Sequence, residues 1–281
     1  MQSDNPYDKE IKLLHQMRTS LPHYKDMIDF FEPILHQRGR YMQRLAAGLD
    51  IHLAEDHLYE MKIREGFPLL TKNDIACDSP IVNDHFLNLV NMMKGQAADR
   101  IEIFESIIGQ NTKFRLVDLI DDDFSIKDVT PDSVIIEFLI SETLGPLLKL
   151  YTDKLENRVK LTDWARGYCP VCGKNPAFAS LKADDGKRTL ACSMCGFHWE
   201  FKRIQCPFCG NEDQKLLSYL AVENDDMYRI ETCDACRCYL KTIVLKNAAH
   251  EIFYDVESII TLHLDIIARD NGYSDACSAK G

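Results

Sequence analysis

Eight of the eleven cysteines in this 281-residue chain form four Cys-x-x-Cys pairs: Cys169/Cys172, Cys192/Cys195, Cys206/Cys209 and Cys233/Cys236. Two thiolates three positions apart on a tight turn can grip one side of a metal ion, and a second pair completes a tetrahedron. One such pair is weak evidence, because a redox motif has the same spacing. Four of them between positions 169 and 236 point to two tetrathiolate sites. A ribbon of ~40 residues buries too little apolar surface to fold unaided, so bound ions would also supply the folding energy.

The order of the pairs favours Cys169, Cys172, Cys192 and Cys195 around one ion, and Cys206, Cys209, Cys233 and Cys236 around the other. Interleaved pairs remain an alternative at this level. Gly173, Gly196 and Gly210 follow three of the pairs, where a left-handed residue is expected to aim backbone N–H groups at sulfur. The fourth pair breaks the pattern, with Arg237 in the glycine place and Cys238 after it. Cys238 reads as a bystander, although an extra ligand or a redox-sensitive thiol is open. Cys77 and Cys277 are isolated and read as inert.

Around the cysteines the chain alternates in the manner of β-strands. Ala177–Ala183 and Lys187–Ala191 flank Asp184-Asp185-Gly186, a hairpin signal, and Phe197, Trp199 and Phe201 mark a third strand. The plan then repeats. Leu216–Val222 and Met227–Thr232 flank Asn224-Asp225-Asp226, and Tyr239–Leu245 closes the unit. Cys206 follows Cys169 by 37 residues and Cys233 follows Cys192 by 41, so a zinc-ribbon or rubredoxin-like unit is duplicated.

The remainder reads as helix. Met27, Phe30, Phe31, Ile34 and Leu35 recur at helical spacing between Pro22 and Leu45, with a break or kink expected at Pro33. Glu55–Glu65, Ile81–Lys94, Ala97–Ile108 and Lys113–Ile120 are further candidates. Thr130-Pro131-Asp132 has the chemistry of a helix start, and that helix should run to about Leu155, kinked at Gly145-Pro146. Val134, Ile135, Phe138, Leu139 and Leu147 would form its buried side. After the ribbons, Glu251 to Asp270 predicts one helix whose stripe of Ile252, Val256, Ile259, Ile260, Ile266 and Ile267 docks on the body. The fold class expected is therefore α+β: a helical domain over 1–161, cysteine ribbons over 162–204 and 205–248, and a C-terminal helix and tail over 249–281.

Composition narrows the function. A net charge of −11 argues against nucleic acid. The segment from Ala165 to His250, with 12 Lys+Arg against 10 Asp+Glu, offers no basic face either. No apolar run approaches the ~20 residues of a membrane span. The opening residues carry no secretory signal, so a cytoplasmic location is expected, where clustered cysteines hold metal rather than form disulfides. No P-loop, dinucleotide fingerprint, zincin motif or nucleophile elbow is present, and closed thiolate shells leave no open coordination position. Catalytic residues are expected to be none, and the chain is not expected to be an enzyme.

Taken with their order and spacing, four motifs resemble the FdhE family of formate dehydrogenase accessory proteins. They are Cys169–Gly173 (CPVCG), Cys192–Trp199 (CSMCGFHW), Arg203–Gly210 (RIQCPFCG) and Glu231–Lys241 (ETCDACRCYLK). Gly66-Phe67-Pro68-Leu69-Leu70 and Asp270-Asn271-Gly272-Tyr273 resemble that family as well. The resemblance implies a non-catalytic cytoplasmic maturation factor that binds the catalytic subunit of formate dehydrogenase. It also implies two tetrathiolate ions on the eight cysteines named above, iron of the rubredoxin type or zinc. A homodimer is left open. The competing readings are a rubredoxin-like electron-transfer or redox-sensing protein and, with less support, a zinc-ribbon nucleic-acid binder.

Overall fold

The computed structural model describes residues 5–96, 114–127, 133–156, 158–161, 164–223 and 225–275. The candidate helix Ala97–Ile108, the helix start at Thr130, and Cys277 lie outside them. Among the described residues five α-helices come first: α1 (Asp8–Ser20), α2 (Lys25–Gly48), α3 (Asp56–Glu65), α4 (Pro80–Gln96) and α5 (Ser133–Leu155). Six strands follow: β1 (Pro176–Leu181), β2 (Arg188–Cys192), β3 (His198–Phe201), β4 (Leu217–Val222), β5 (Asp225–Cys233) and β6 (Cys238–Val244). Helices α6 (Tyr254–Ile260) and α7 (Leu262–Asp270) close the chain.

The α+β class and the order of its parts are those expected, and several details differ. The helix α1 had not been anticipated. Both long helices run through their prolines, Pro33 and Pro146. A proline removes one main-chain bond, at a cost of about 3 kcal/mol. Here Ile34 and Leu35, and Leu144, Leu147 and Leu148, are buried beside it, and packing rather than propensity holds such helices. Val134 is exposed, and Ile136 and Ile140 join the expected Leu139 and Leu147 on the buried side of α5. Met27 and Ile266 are exposed too. Among the described residues 114–120 of the candidate Lys113–Ile120, only a short 3-10 turn forms at Leu116–Asp118, since the Ile120–Ile126 bridge draws the backbone into an extended turn.

The two ribbons are fused into one sheet, which their sequence did not reveal. Strand order is β3-β2-β1-β6-β5-β4. Within each ribbon the pairing is antiparallel, and the ribbons join through the parallel pair β1·β6, with Phe178 opposite Lys241 and Leu181 opposite Val244. Arg188 reinforces the junction from β2: its guanidinium donates to the carbonyl of Gln205 at 2.8 Å and pairs with Glu231 of β5 at 2.9 Å.

Each face of the sheet has its own cover. Phe178, Tyr228, Ile230, Tyr239 and Ile243 lie on one face and pack with Leu264 and Ala268 of α7. Tyr239 and Lys241 both reach Asp265 of that helix at 2.8 Å. On the other face Ala179, Leu190, Trp199 and Leu240 join the core of the helical domain. The single C-terminal helix expected from the sequence is broken at Thr261, whose hydroxyl turns back to the carbonyl of Glu257. The break lets α6 bury Val256, Ile259 and Ile260 against α1 and α2 while α7 addresses the sheet.

The helical domain is itself cross-tied. Arg38 of α2 forms a forked pair with Glu142 of α5 and reaches Asp255 of α6 at 2.5 Å. Next to it the His85 ring stacks on Tyr41 at 3.7 Å, and its buried Nε2 has no partner. Burial lowers the His85 pKa to about 3, so the imidazole is held neutral. The unfolded chain takes up that proton below about pH 6.5, and the folded one does not, so stability is lost as pH falls through this window. Replacing His85→Phe keeps the stack and removes the titration. Urea unfolding at pH 7.5 and 5.5 should show the acid loss of the variant to be smaller than that of the native chain by about 1.4 kcal/mol. Equal losses would mean that His85 is protonated in the folded state.

Candidate metal centres

Three of the four Cys-x-x-Cys pairs form knuckles closed by a main-chain hydrogen bond back to the first cysteine. Gly173 donates to the carbonyl of Cys169 at 2.9 Å, Gly210 to Cys206 at 3.0 Å, and Arg237 to Cys233 at 2.8 Å. The three knuckle glycines are left-handed, with φ of 77° at Gly173, 67° at Gly196 and 73° at Gly210. The sulfur-facing N–H groups come from elsewhere than expected. Val171 and Met194, between the cysteines of their pairs, donate to Cys169 and Cys192 at 3.4 Å. The N–H groups of Gly173 and Gly210 are already committed to the turn.

Folding brings the eight sulfurs together in two quartets: Cys169, Cys172, Cys192 and Cys195, and Cys206, Cys209, Cys233 and Cys236. Within each, the sulfurs all lie within 4.8 Å of one another, and either group can hold a metal ion. Neighbouring sulfurs are 3.4 to 3.6 Å apart in the first quartet and 3.7 Å in the second. A tetrahedron with metal–sulfur bonds of about 2.3 Å has corners about 3.8 Å apart, so the spacing and the soft donor set both fit. Four thiolates suit zinc and iron alike. Crowding sets the thiols against each other. Burial and the neighbouring thiols push Cys169 and Cys195 well up, while hydrogen bonds from its three neighbours outweigh burial and hold Cys192 well below the usual thiol range. In the second quartet burial pushes Cys236 up to about 11, and hydrogen bonds lower Cys209 against its burial. A divalent ion at the centre is what allows four such groups to ionise together.

The quartets differ in their surroundings. The first is buried at all four cysteines. The Gly66–Leu70 stretch straps its first knuckle, with Leu69 and Leu70 donating to the carbonyls of Pro170 and Val171 at 2.8 Å. Its second knuckle sits against α5, where a Cβ on Gly145 would lie 2.7 Å from the carbonyl oxygen of Met194. Only glycine allows that approach. The second quartet is open on one side, with Cys209 exposed and Cys236 half-buried.

Arg237 explains the missing fourth glycine. It adopts a left-handed φ of 59° and still makes the turn. A non-glycine residue pays roughly 1–2 kcal/mol for this conformation. The C-terminal turn offsets it: the Arg237 guanidinium donates to the carbonyls of Asn271 and Gly272, pairs with Asp234 at 2.7 Å and lies 4.1 Å over the Tyr273 ring. Sequence reasoning missed this clamp, although the exchange of glycine for arginine was its visible trace. Cys238 is not the bystander thiol expected. It is disulfide-bonded, and it belongs to neither quartet. Cys77 is buried, and burial raises its pKa. Trp199 is a packing residue, its indole donating to the carbonyl of Arg166 at 3.1 Å.

This asymmetry sets an order of release. Under a chelator at neutral pH, the ion of the Cys206 quartet should leave first, and native mass spectrometry should pass through a one-ion species. Cys209→Ser should lower the count from two ions to one, whereas Cys77→Ser should leave two. Simultaneous loss of both ions, or first loss from the buried quartet, would contradict the reading.

Comparison with known proteins agrees with this architecture. A family profile described as FdhE, central domain, matches residues 168–203, which hold the first quartet. A protein named FdhE homolog from Aquifex aeolicus is 26% identical over 264 residues, 92% of this chain and 88% of the relative. An FdhE homolog from Pseudomonas aeruginosa is 32% identical over 128 residues, covering 42% of this chain and 40% of its own length. The crystal structure of the FdhE protein from Pseudomonas aeruginosa superposes with a TM-score of 0.62 at 20% identity, over 98% of this chain and 95% of that one. That likeness speaks for the fold. The profile over the first quartet and the near full-length relative both support likeness to the FdhE family, and the solved structure shares the fold.

Proposed function

We propose that this protein is a non-catalytic accessory factor that binds the catalytic subunit of formate dehydrogenase in the cytoplasm and supports its maturation. The observation that carries the reading is a pair of four-sulfur quartets in a chain similar over most of its length to an FdhE homolog; four thiolates fill the shell of a tetrahedral ion and leave no position for a substrate. In this reading Cys169, Cys172, Cys192 and Cys195 ligate one ion and Cys206, Cys209, Cys233 and Cys236 the other. The ions, iron or zinc, hold the twin ribbons in shape. Among the described residues no helix is long and apolar enough to cross a membrane, in keeping with a factor that meets its client in water.

A second reading, one-electron transfer or redox sensing at a rubredoxin-like iron, is favoured by one feature: exposed Cys209 brings the second quartet to the surface. Reversible one-electron chemistry in the isolated protein would support it, and a redox-silent ion would remove it.

Anaerobic purification of the tagged full chain from cells making formate dehydrogenase tests the main reading. The catalytic subunit should be recovered in stoichiometric amounts, and recovery should fall at least tenfold for Cys172→Ser, whose quartet has lost a ligand. An absence of the subunit from the native preparation would overturn the assignment.

A further inference from the structure

The duplication that built the sheet leaves β4, like β3 at the other end, with a single partner among the described strands. By chain order β4 in the second ribbon corresponds to β1 in the first, and β6 corresponds to β3. The outer edge of β1 accepts β6 as a parallel neighbour. The equivalent edge of β4 is the end of the sheet, with β5 its one partner among the described strands. An open edge presents main-chain donors and acceptors in a row, ready to pair with an added strand.

Side chains beside that edge state what it would accept. Leu217, Tyr219, Arg229 and Glu231 share one face of the sheet, since Tyr219 is opposite Glu231 and Ala221 opposite Arg229. With the loop carrying Arg203 and Ile204 they border a cavity of about 350 Å³ that reaches Cys206 and Cys233 of the second quartet. Its mouth is apolar: Tyr219 is 59% exposed and Ile204 49%. Its interior is cationic. Arg188 and Arg229 both pair with the single carboxylate of Glu231, and the buried Nε of each arginine has no partner. Arg229 lies 5.0 Å over the Tyr219 ring, which carries its charge out toward β4. This positive site stands out in a chain with a net charge of −11.

We propose that β4 and this cavity form a docking surface for an extended segment of a partner protein. The segment adds to β4 as a strand, places an apolar side chain on Tyr219 and Ile204, and inserts an acidic side chain toward Arg229 and Arg188. The inference rests on the reading of the protein as a client-binding factor and names the chemistry of the contact. A neutral or basic segment would leave the two Nε groups unanswered, so the acid confers specificity. A simpler role for the arginines, balancing the charge of the neighbouring thiolates, has its own signature in the test.

The test uses the metal-loaded full chain as bait for a phage-displayed random dodecapeptide library, with no formate dehydrogenase present. The enriched peptides should carry one Asp or Glu within alternating apolar residues. A synthetic peptide of that motif should lose at least tenfold in affinity with Arg229→Gln, with Tyr219→Ala, and when its own acid is replaced by the amide. Native mass spectrometry should show two ions in both variants. An absence of enrichment, a motif without an acid, or unchanged binding by the variants overturns the proposal. Loss of an ion from Arg229→Gln with peptide binding unchanged also overturns it and assigns the arginine to the metal centre. Peptide binding with no capture of formate dehydrogenase would keep the surface and remove that client, whereas capture without peptide binding would place the client elsewhere.

Discussion

Thiolates packed within 4.8 Å of one another are the constraint on which the rest of this structure depends. Neutral thiols make poor hydrogen bonds, and unpaired thiolates repel. A shared cation would resolve both, and it would tie four points of a chain that is locally too short to bury a core. The knuckle turns, the left-handed residues and the hairpins between them are then the means of holding sulfurs at tetrahedral spacing. The sheet follows from the same anchoring. Once each ribbon is pinned at its knuckles, β1 and β6 can pair across the duplication, with Arg188 spanning the junction.

The two centres have diverged in what surrounds them. The helical domain covers the first, by the Gly66–Leu70 strap at one knuckle and Gly145 of α5 at the other. The C-terminal turn covers the second only in part, through Arg237. A sealed centre suits a structural role, joining helices to ribbon. An open centre beside an unpaired sheet edge and a cationic cavity suits contact with another molecule. One duplicated unit has in this way given the molecule one covered quartet and one that reaches the surface.

Much of the site was legible because cysteine spacing is a direct statement of geometry. Two thiols three residues apart can do few things, and four such pairs narrow them further. The hairpins were legible from their turn residues, and the strands from their alternation. Failures came where tertiary packing decides. Pro33 did not break a helix held by buried neighbours, and Thr261 split a helix whose apolar stripe served two different surfaces. The fusion of the ribbons depends on a parallel pair between strands distant in sequence, for which no local pattern exists. Gly66–Leu70 and Asp270–Tyr273 were noticed as motifs without a reason. The structure supplies it: each presses on a knuckle.

The account's central claim is that each quartet is one closed four-sulfur metal site. X-ray absorption at the metal edge of the oxygen-free full chain tests it most directly. Two ions per chain, each with four sulfur neighbours at about 2.3 Å and no lighter ligand, are the result it predicts. Nitrogen or oxygen neighbours at about 2.0–2.1 Å, or a folded chain whose eight thiols are alkylated without loss of structure, would contradict it.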